Sequence, residues 1–285
     1  MSAVESTTLC RCWILTRADG LRMGFTDHDA EVSVDGVACR PEAGFAAREV
    51  MQGTGLAVDN SEAVGVFASD RITEADLDAG RYDGAEVALW EVDWTAPALR
   101  HLRFRGSLGD VRRGQGQFEV ELRGLSEALN QPRGRTFQAG CGARFGDAAC
   151  GFDRAAETHG AEVPVGRVVS PHVLEFKGVP DFEDRWFERG TLEVLSGAAE
   201  GLSGTIKRDR PEGGLRQVTL WSPLRAALAE GDMVRLIPGC DKRAETCRLK
   251  FDNLANFRGF PDIPGEDWLM SLPVQAADAD GGPRR

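Results

Sequence analysis

One tyrosine, four histidines and four lysines are all that 285 residues contain of these types, and each scarcity narrows what the chain can be. With histidine confined to His28, His101, His159 and His172, a histidine-rich catalytic centre is not expected. No G-x-x-x-x-G-K-[ST] loop and no nucleophile elbow is present, so phosphate cradling and serine-nucleophile chemistry lack their local signatures. No stretch approaches the ~18 consecutive apolar residues of a membrane-spanning helix. The opening MSAVESTTLCRCWILTRADG has no basic segment followed by a long apolar run, so no signal peptide is expected. Folding in the cytoplasm, where thiols stay reduced, follows as an expectation. A surplus of positive charge is also missing. The net charge of -11 argues against a general nucleic-acid binder, although like charge suits the wall of a DNA conduit.

What is present is a globular composition, 42% hydrophobic and 28% charged, with 34 Gly and 13 Pro favouring turns over long helices. The length allows two domains of ordinary size. Ala18-Asp19-Gly20 and Val34-Asp35-Gly36 break the first strand-like runs as hairpin signals. A short helix is expected around Ile72 to Leu77, with Thr73 as its N-cap. Val87, Leu89 and Glu91 then oppose Ala88, Trp90 and Val92, and Phe118, Val120 and Leu122 alternate with Glu119, Glu121 and Arg123, which reads as a half-buried antiparallel meander. LSEALNQPRG reads as a helix stopped by Pro132, and a boundary falls near residue 135.

Beyond it, strands are expected at Ala161–Val169, Val173–Phe176, Thr191–Val194, Gly204–Arg208, Gln217–Trp221 and Met233–Ile237. The fold class is mainly β: two or more barrel- or sandwich-like domains with a few short helices. Residues 1–135 and 136–272 form the two main domains, and 273–285, rich in Ala, Asp and Gly, form a disordered tail.

Seven cysteines are an odd number, which fits a complete disulfide framework poorly. Cys10, Cys12 and Cys39 sit in or beside strand patterns and read as packing. Cys141 and Cys150 form C-x8-C, and Cys240 and Cys247 form C-x6-C, both in Gly-rich loops that flank the second β region. A barrel can bring two flanking loops to one end, where four thiolates could share a metal centre. Structural zinc usually takes tighter knuckles, and wider loops suit a larger iron–sulfur cluster. Zinc, a late disulfide pair and inert thiols remain alternatives. Arg144, Arg154, Lys242, Arg243 and Arg248 lie nearby in sequence, and positive charge suits a centre that is net negative. TDHD, from Thr26 to Asp29, has a histidine between carboxylates and reads as a turn. Arg103, Arg105, Arg112 and Arg113 read as a solvated or subunit-facing side of a sheet.

PGCDKRAETCRLKFDNLANFRGFPDIPG, with its upstream C-x8-C, resembles the C-terminal domain of phage tail hub (tail tip) proteins. These occur in long-tailed siphophages and in the gene transfer agents of alphaproteobacteria. FTDHDAEVSVDGVACRPEAGF and YDGAEVALWEVDWTAPALRHLRFRGSLGDV resemble the N-terminal half of the same family, so the likeness spans nearly the whole chain. Arg greatly outnumbering Lys fits a GC-rich genome and the gene transfer agent branch.

The resemblance implies a structural virion protein and no catalytic residues. It implies a homotrimeric hub ring in the baseplate region that joins the distal tail protein to the central fibre or receptor-binding assembly, with DNA passing unbound through the lumen and no membrane anchor. Residues 1–135 would serve ring assembly and docking to the tail tube, in a tail assembled in the bacterial cytoplasm. The resemblance also implies a loop-rich, metal-bound C-terminal domain in which Cys141, Cys150, Cys240 and Cys247 hold a [4Fe–4S] cluster, with zinc the weaker alternative. Arg144, Arg248, Asn253, Asn256 and Arg258 are expected around the ligands, the last three donating hydrogen bonds to sulfurs or loop carbonyls. Phe251, Phe257, Phe260 and Trp268 read as a lid over that site in preference to a docking surface. The rival readings are an iron–sulfur redox protein, which would need a flavin, nicotinamide or second-cluster motif that the sequence lacks, and a zinc-stabilised binding module.

Overall fold

A computed structural model describes residues 8–41, 46–47, 65–66, 71–114, 117–124, 134 and 136–263. The chain divides into two compact units, Met1–Pro132 and Arg133–Arg285. The helix expected over LSEALNQPRG, Trp268 and the tail at 273–285 lie outside the described residues.

Unit 1 is a seven-stranded sheet in the order β3-β4-β2-β1-β7-β8-β9. Its strands are β1 (Leu9–Thr16), β2 (Arg22–Thr26), β3 (Val32–Val34), β4 (Val37–Pro41), β7 (Glu86–Asp93), β8 (Arg100–Gly114) and β9 (Gln117–Gly124). A separate two-residue ladder joins β5 (Ala46–Ala47) to β6 (Gly65–Val66). The Asp35-Gly36 turn has φ of 50° and 73°, the double left-handed geometry that makes Asp-Gly a hairpin signal. Helix α1 (Glu74–Asp78) begins where expected, with the Thr73 hydroxyl accepting the Asp76 N–H at 3.1 Å.

The β7-β8-β9 meander is antiparallel, as its alternation suggests, but its burial is more than one-sided. Trp13, Leu15, Val87, Leu89 and Phe104 form one core with the lone tyrosine, Tyr82. Cys10, Cys12, Ile14, Val32, Val34, Val37, Cys39 and Val92 form a second, with Trp90 packed against it. β1 is therefore buried on both faces, and β7 passes from one core to the other along its length. A register shift in β7–β8 between Leu89 and Trp90 marks the passage. β2 and β4 pair in parallel, so this part of unit 1 is a mixed sheet.

Unit 2 holds a closed six-stranded barrel in the order β10-β11-β14-β13-β12-β15. The strands are β10 (Ala161–Ser170), β11 (Val173–Lys177), β12 (Thr191–Val194), β13 (Ser203–Glu212), β14 (Leu215–Leu220) and β15 (Met233–Ile237). Every neighbouring pair is antiparallel, and closure leaves no sheet edge open. Val163, Val165, Phe176, Leu192, Ile206, Val218 and Leu236 fill the interior, so the barrel is a packed core. A buried ion pair sits among them. Arg216 donates to both carboxylate oxygens of Asp209 at 2.7 Å, and also to the carbonyls of Phe182 and Glu183. Asp209 in turn accepts the Phe187 N–H at 2.8 Å. These bonds fasten the segment before β12 onto the barrel, with Phe187 fully buried. Trp186, one residue earlier, is left half-buried beside the cysteine loops.

Candidate metal centre

The two cysteine pairs meet because of barrel register. Ala161, the first residue of β10, pairs with Leu236 near the end of β15. The loop entering β10 carries Cys141 and Cys150, and the segment leaving β15 carries Cys240 and Cys247, so both emerge at one place. Gly239 makes the exit possible: a Cβ there would lie 1.5 Å from the Glu188 carbonyl oxygen. All four cysteines line one cavity with Ala143, Phe145, Lys242, Arg243, Phe251, Asn253, Asn256 and Phe257. No imidazole or carboxylate joins that wall, and the four sulfurs are its thiophilic donors. Among the described residues, no three His, Cys, Asp or Glu side chains are grouped closely enough to hold a single metal ion.

Local chemistry fixes each thiol. Asp147 accepts the Cys150 N–H at 2.7 Å and the Arg144 N–H at 2.9 Å, closing the first loop into a compact turn. The Cys150 N–H contributes most to holding the Asp147 carboxyl below its ordinary range. The second loop continues into helix α2 (Ala244–Leu249), which turns Cys247 inward, and then into a 3-10 turn at Leu254–Asn256. Asn253 binds the two loops together. Its side-chain amide donates to the Cys150 carbonyl at 2.7 Å and approaches the Cys150 Sγ at 3.7 Å. Its own carbonyl accepts from the Cys247 thiol at 3.3 Å. Asn256 orients it by donating to Asn253 Oδ1 at 2.7 Å. The Arg258 N–H points at Cys141 Sγ at 3.4 Å, and its carbonyl accepts the Gly142 N–H at 3.3 Å.

Burial raises the Cys240 thiol, and burial together with Cys240, Cys141 and Cys150 raises Cys247. A bound cation would reverse that penalty by stabilising thiolates. The donor set therefore fits a thiophilic metal centre.

Of the expected neighbours, Asn253 and Asn256 line the cavity and Arg258 reaches it through its backbone. Arg144 and Arg248 carry exposed side chains outside the cavity wall. Arg248 follows the inward Cys247 on a helix, so it points elsewhere. Of the expected lid, Phe251 and Phe257 line the cavity, whereas Phe260 packs tilted against Phe137 with ring centroids 5.0 Å apart. From the cavity wall, Phe145, Phe251, Phe152, His159 and Trp186 form a continuous chain of stacked, tilted and edge-on aromatic contacts to the barrel. His159 and Lys250 are members of this arrangement that sequence reading missed, since neither lies in a periodic pattern. The signal available for Lys250 was rarity, because Arg supplies all but four of the 34 basic side chains.

The remaining candidates take ordinary roles. Thr26 accepts the His28 N–H, and His28 Nδ1 accepts the Ala30 N–H, closing the TDHD turn. Arg103 and Arg105 are exposed and pair across strands with Glu91 and Glu86.

Residues 1–153 match the family described as "Baseplate hub protein, N-terminal attachment domain". Residues 185–267 match "Phage conserved hypothetical protein BR0599". Cys141 and Cys150 thus fall within the first match, and Cys240 and Cys247 within the second. Among solved structures, the chain is similar to one in "Virion of native gene transfer agent (GTA) particle". The identity is 53% over 99% of this chain and 96% of that one, with a TM-score of 0.87. No curated protein matches the chain.

Proposed function

From the premise that the chain belongs to the baseplate hub protein family, we propose that it is the structural tail hub of a gene-transfer-agent-like particle. The observation that carries this reading is its 53% identity, end to end, with a chain of such a virion. Three copies form a ring that joins the distal tail protein to the central fibre, and DNA passes through the ring without being held. The ring assembles in the cytoplasm of the producing cell.

Within each subunit, Cys141, Cys150, Cys240 and Cys247 hold a [4Fe–4S] cluster. The four sulfurs that line one shared cavity, with no imidazole or carboxylate on its wall, support this. The cluster supplies four metal–sulfur bonds between two loops that meet only at the end of the barrel. Its binding free energy then becomes folding free energy for a region with little regular structure.

Deletion of the gene in a particle-producing cell tests the hub assignment. Tail completion should fail and return on complementation, and the purified ring should have the mass of three chains. Normal tails from the deleted strain, or one copy per finished particle, would remove the hub reading.

A further inference from the structure

Two of the four lysines, Lys242 and Lys250, sit on the cysteine loops, in a chain whose other cations are arginines apart from Lys177 and Lys207. Lys242 lies between Cys240 and Cys247 with a left-handed backbone, φ 68°. Its Nζ donates to the Ala143 carbonyl at 2.6 Å and its own carbonyl accepts the Cys141 N–H at 2.8 Å. It therefore laces the second loop to the first. Lys250 is three residues beyond Cys247. Its Nζ donates to the carbonyl of Gly239, immediately before Cys240, at 2.9 Å, and to the carbonyl of Trp186. It also lies 4.3 Å from the Trp186 ring centroid. One cation thus closes the second loop on itself and fixes it to the barrel-anchored segment.

Neither lysine forms an ion pair with a carboxylate among the described residues; both spend their donors on carbonyls. Burial pushes Lys250 down to about 8, while Cys240, and after it Asp209, Asp241 and Glu183, work in the opposite direction by favouring its charge. A buried cation hydrogen-bonded only to carbonyls is favoured by every negative group nearby. A compact ammonium with three donors also fits a ring of carbonyls that a planar guanidinium would not.

We infer that Lys242 and Lys250 are the charge-balancing positioning residues of the four-thiolate centre, lacing its loops together and offsetting its net negative charge. The inference rests on the cluster reading given above and goes beyond it by assigning the counter-charge.

The test compares Lys242→Met, Lys250→Met and their Arg counterparts with controls Lys177→Met and Lys207→Met, all purified without oxygen. Iron and sulfide content, iron release to a chelator, the reduction potential of the bound centre and melting of the metal-free protein are measured. The Met variants should release iron about 10-fold faster or more, the scale of lost outer-sphere support. Their potentials should shift to more negative values, because a positive charge that favours the reduced centre is gone. Melting of the metal-free barrel should be retained, and the Arg variants should restore the potential toward wild type. Wild-type iron retention and potential in both Met variants would overturn the role while leaving the cluster intact. Loss of iron together with loss of the barrel's melting transition would assign the lysines to the fold alone and also overturn it. A wild-type chain that binds no iron or sulfide would overturn the cluster reading and this role with it.

Discussion

Cysteine stands in two different settings in the two units, and the contrast shows what makes a thiol available. In unit 1, Cys10, Cys12 and Cys39 occupy strand positions facing a core of valines and isoleucine. Cys12 and Cys39 are fully buried, and the Cys12 thiol donates to the Thr26 hydroxyl at 3.6 Å. Burial, chiefly, pushes Cys10 up to about 12. Contact with Cys39 and burial push Cys12 up as well. Such thiols behave as small hydrophobes. In unit 2 three of the four cysteines stand in loops and Cys247 on helix α2; all share one cavity, where Cys150 faces the Asn253 amide and Cys141 the Arg258 N–H. Both sets are reduced and partly or wholly buried, so burial alone does not separate them. Sharing one cavity does.

The contrast breaks most severely on losing a thiol. Cys240→Ser or Cys247→Ser should empty the centre and destabilise unit 2 by about 4 kcal/mol or more, the range reached when a structural metal is lost. Denaturant unfolding with iron analysis measures this, and Cys39→Ala should leave iron content unchanged. A smaller effect is expected at Gly24, which β2 places against the unit 1 trio. A Cβ there would meet Cys39 Sγ at 2.7 Å, Cys39 Cα at 2.8 Å and the Ala38 carbonyl at 2.9 Å. Backbone atoms cannot swing aside, so Gly24→Ala should cost about 1–3 kcal/mol by overpacking, read in urea, with iron retained.

Asn253→Ala removes the amide that binds Cys150 and should cost about 1–2 kcal/mol in the metal-free protein. Thermal melting would show it, along with faster loss of iron than in wild type. The mildest probe needs no mutation. Alkylation of the native metal-free chain at pH 8, mapped by mass spectrometry, should label the half-buried Cys141 and Cys150 and spare Cys10, Cys12 and Cys39. Labelling of Cys10 should rise only as pH approaches its raised value near 12, where the thiolate forms.

The barrel was legible because each strand has one face inside, which writes a period of two into the sequence. β12 and β15 fall on their expected bounds. β13 runs farther, to Glu212, because a register shift between Ile206 and Arg208 interrupts its alternation with Lys207 and Arg208 both exposed. Unit 1 was less legible. Alternation reports which residues share a face but not which strand lies alongside, so the parallel β2–β4 pairing and the second core had no sequence signature.

At the site, the spacing of the cysteines pointed to shared loops, and barrel register explains why they meet. Proximity in sequence misled for Arg144 and Arg248, because turn and helix geometry directs their side chains outward. Lys250, three residues past Cys247, returns to the inward side of the same turn of chain. Its partners, Gly239 and Trp186, lie 11 and 64 residues away and could be found only in three dimensions.

Metal analysis of the wild-type chain tests the central claim most directly. The protein is purified without oxygen, and iron, acid-labile sulfide and zinc are determined per chain alongside the visible spectrum. About four iron and four sulfide per chain are expected, with the broad absorption of a thiolate-ligated cluster. Zinc without sulfide, or a metal-free chain whose four loop cysteines are paired as disulfides, would contradict it.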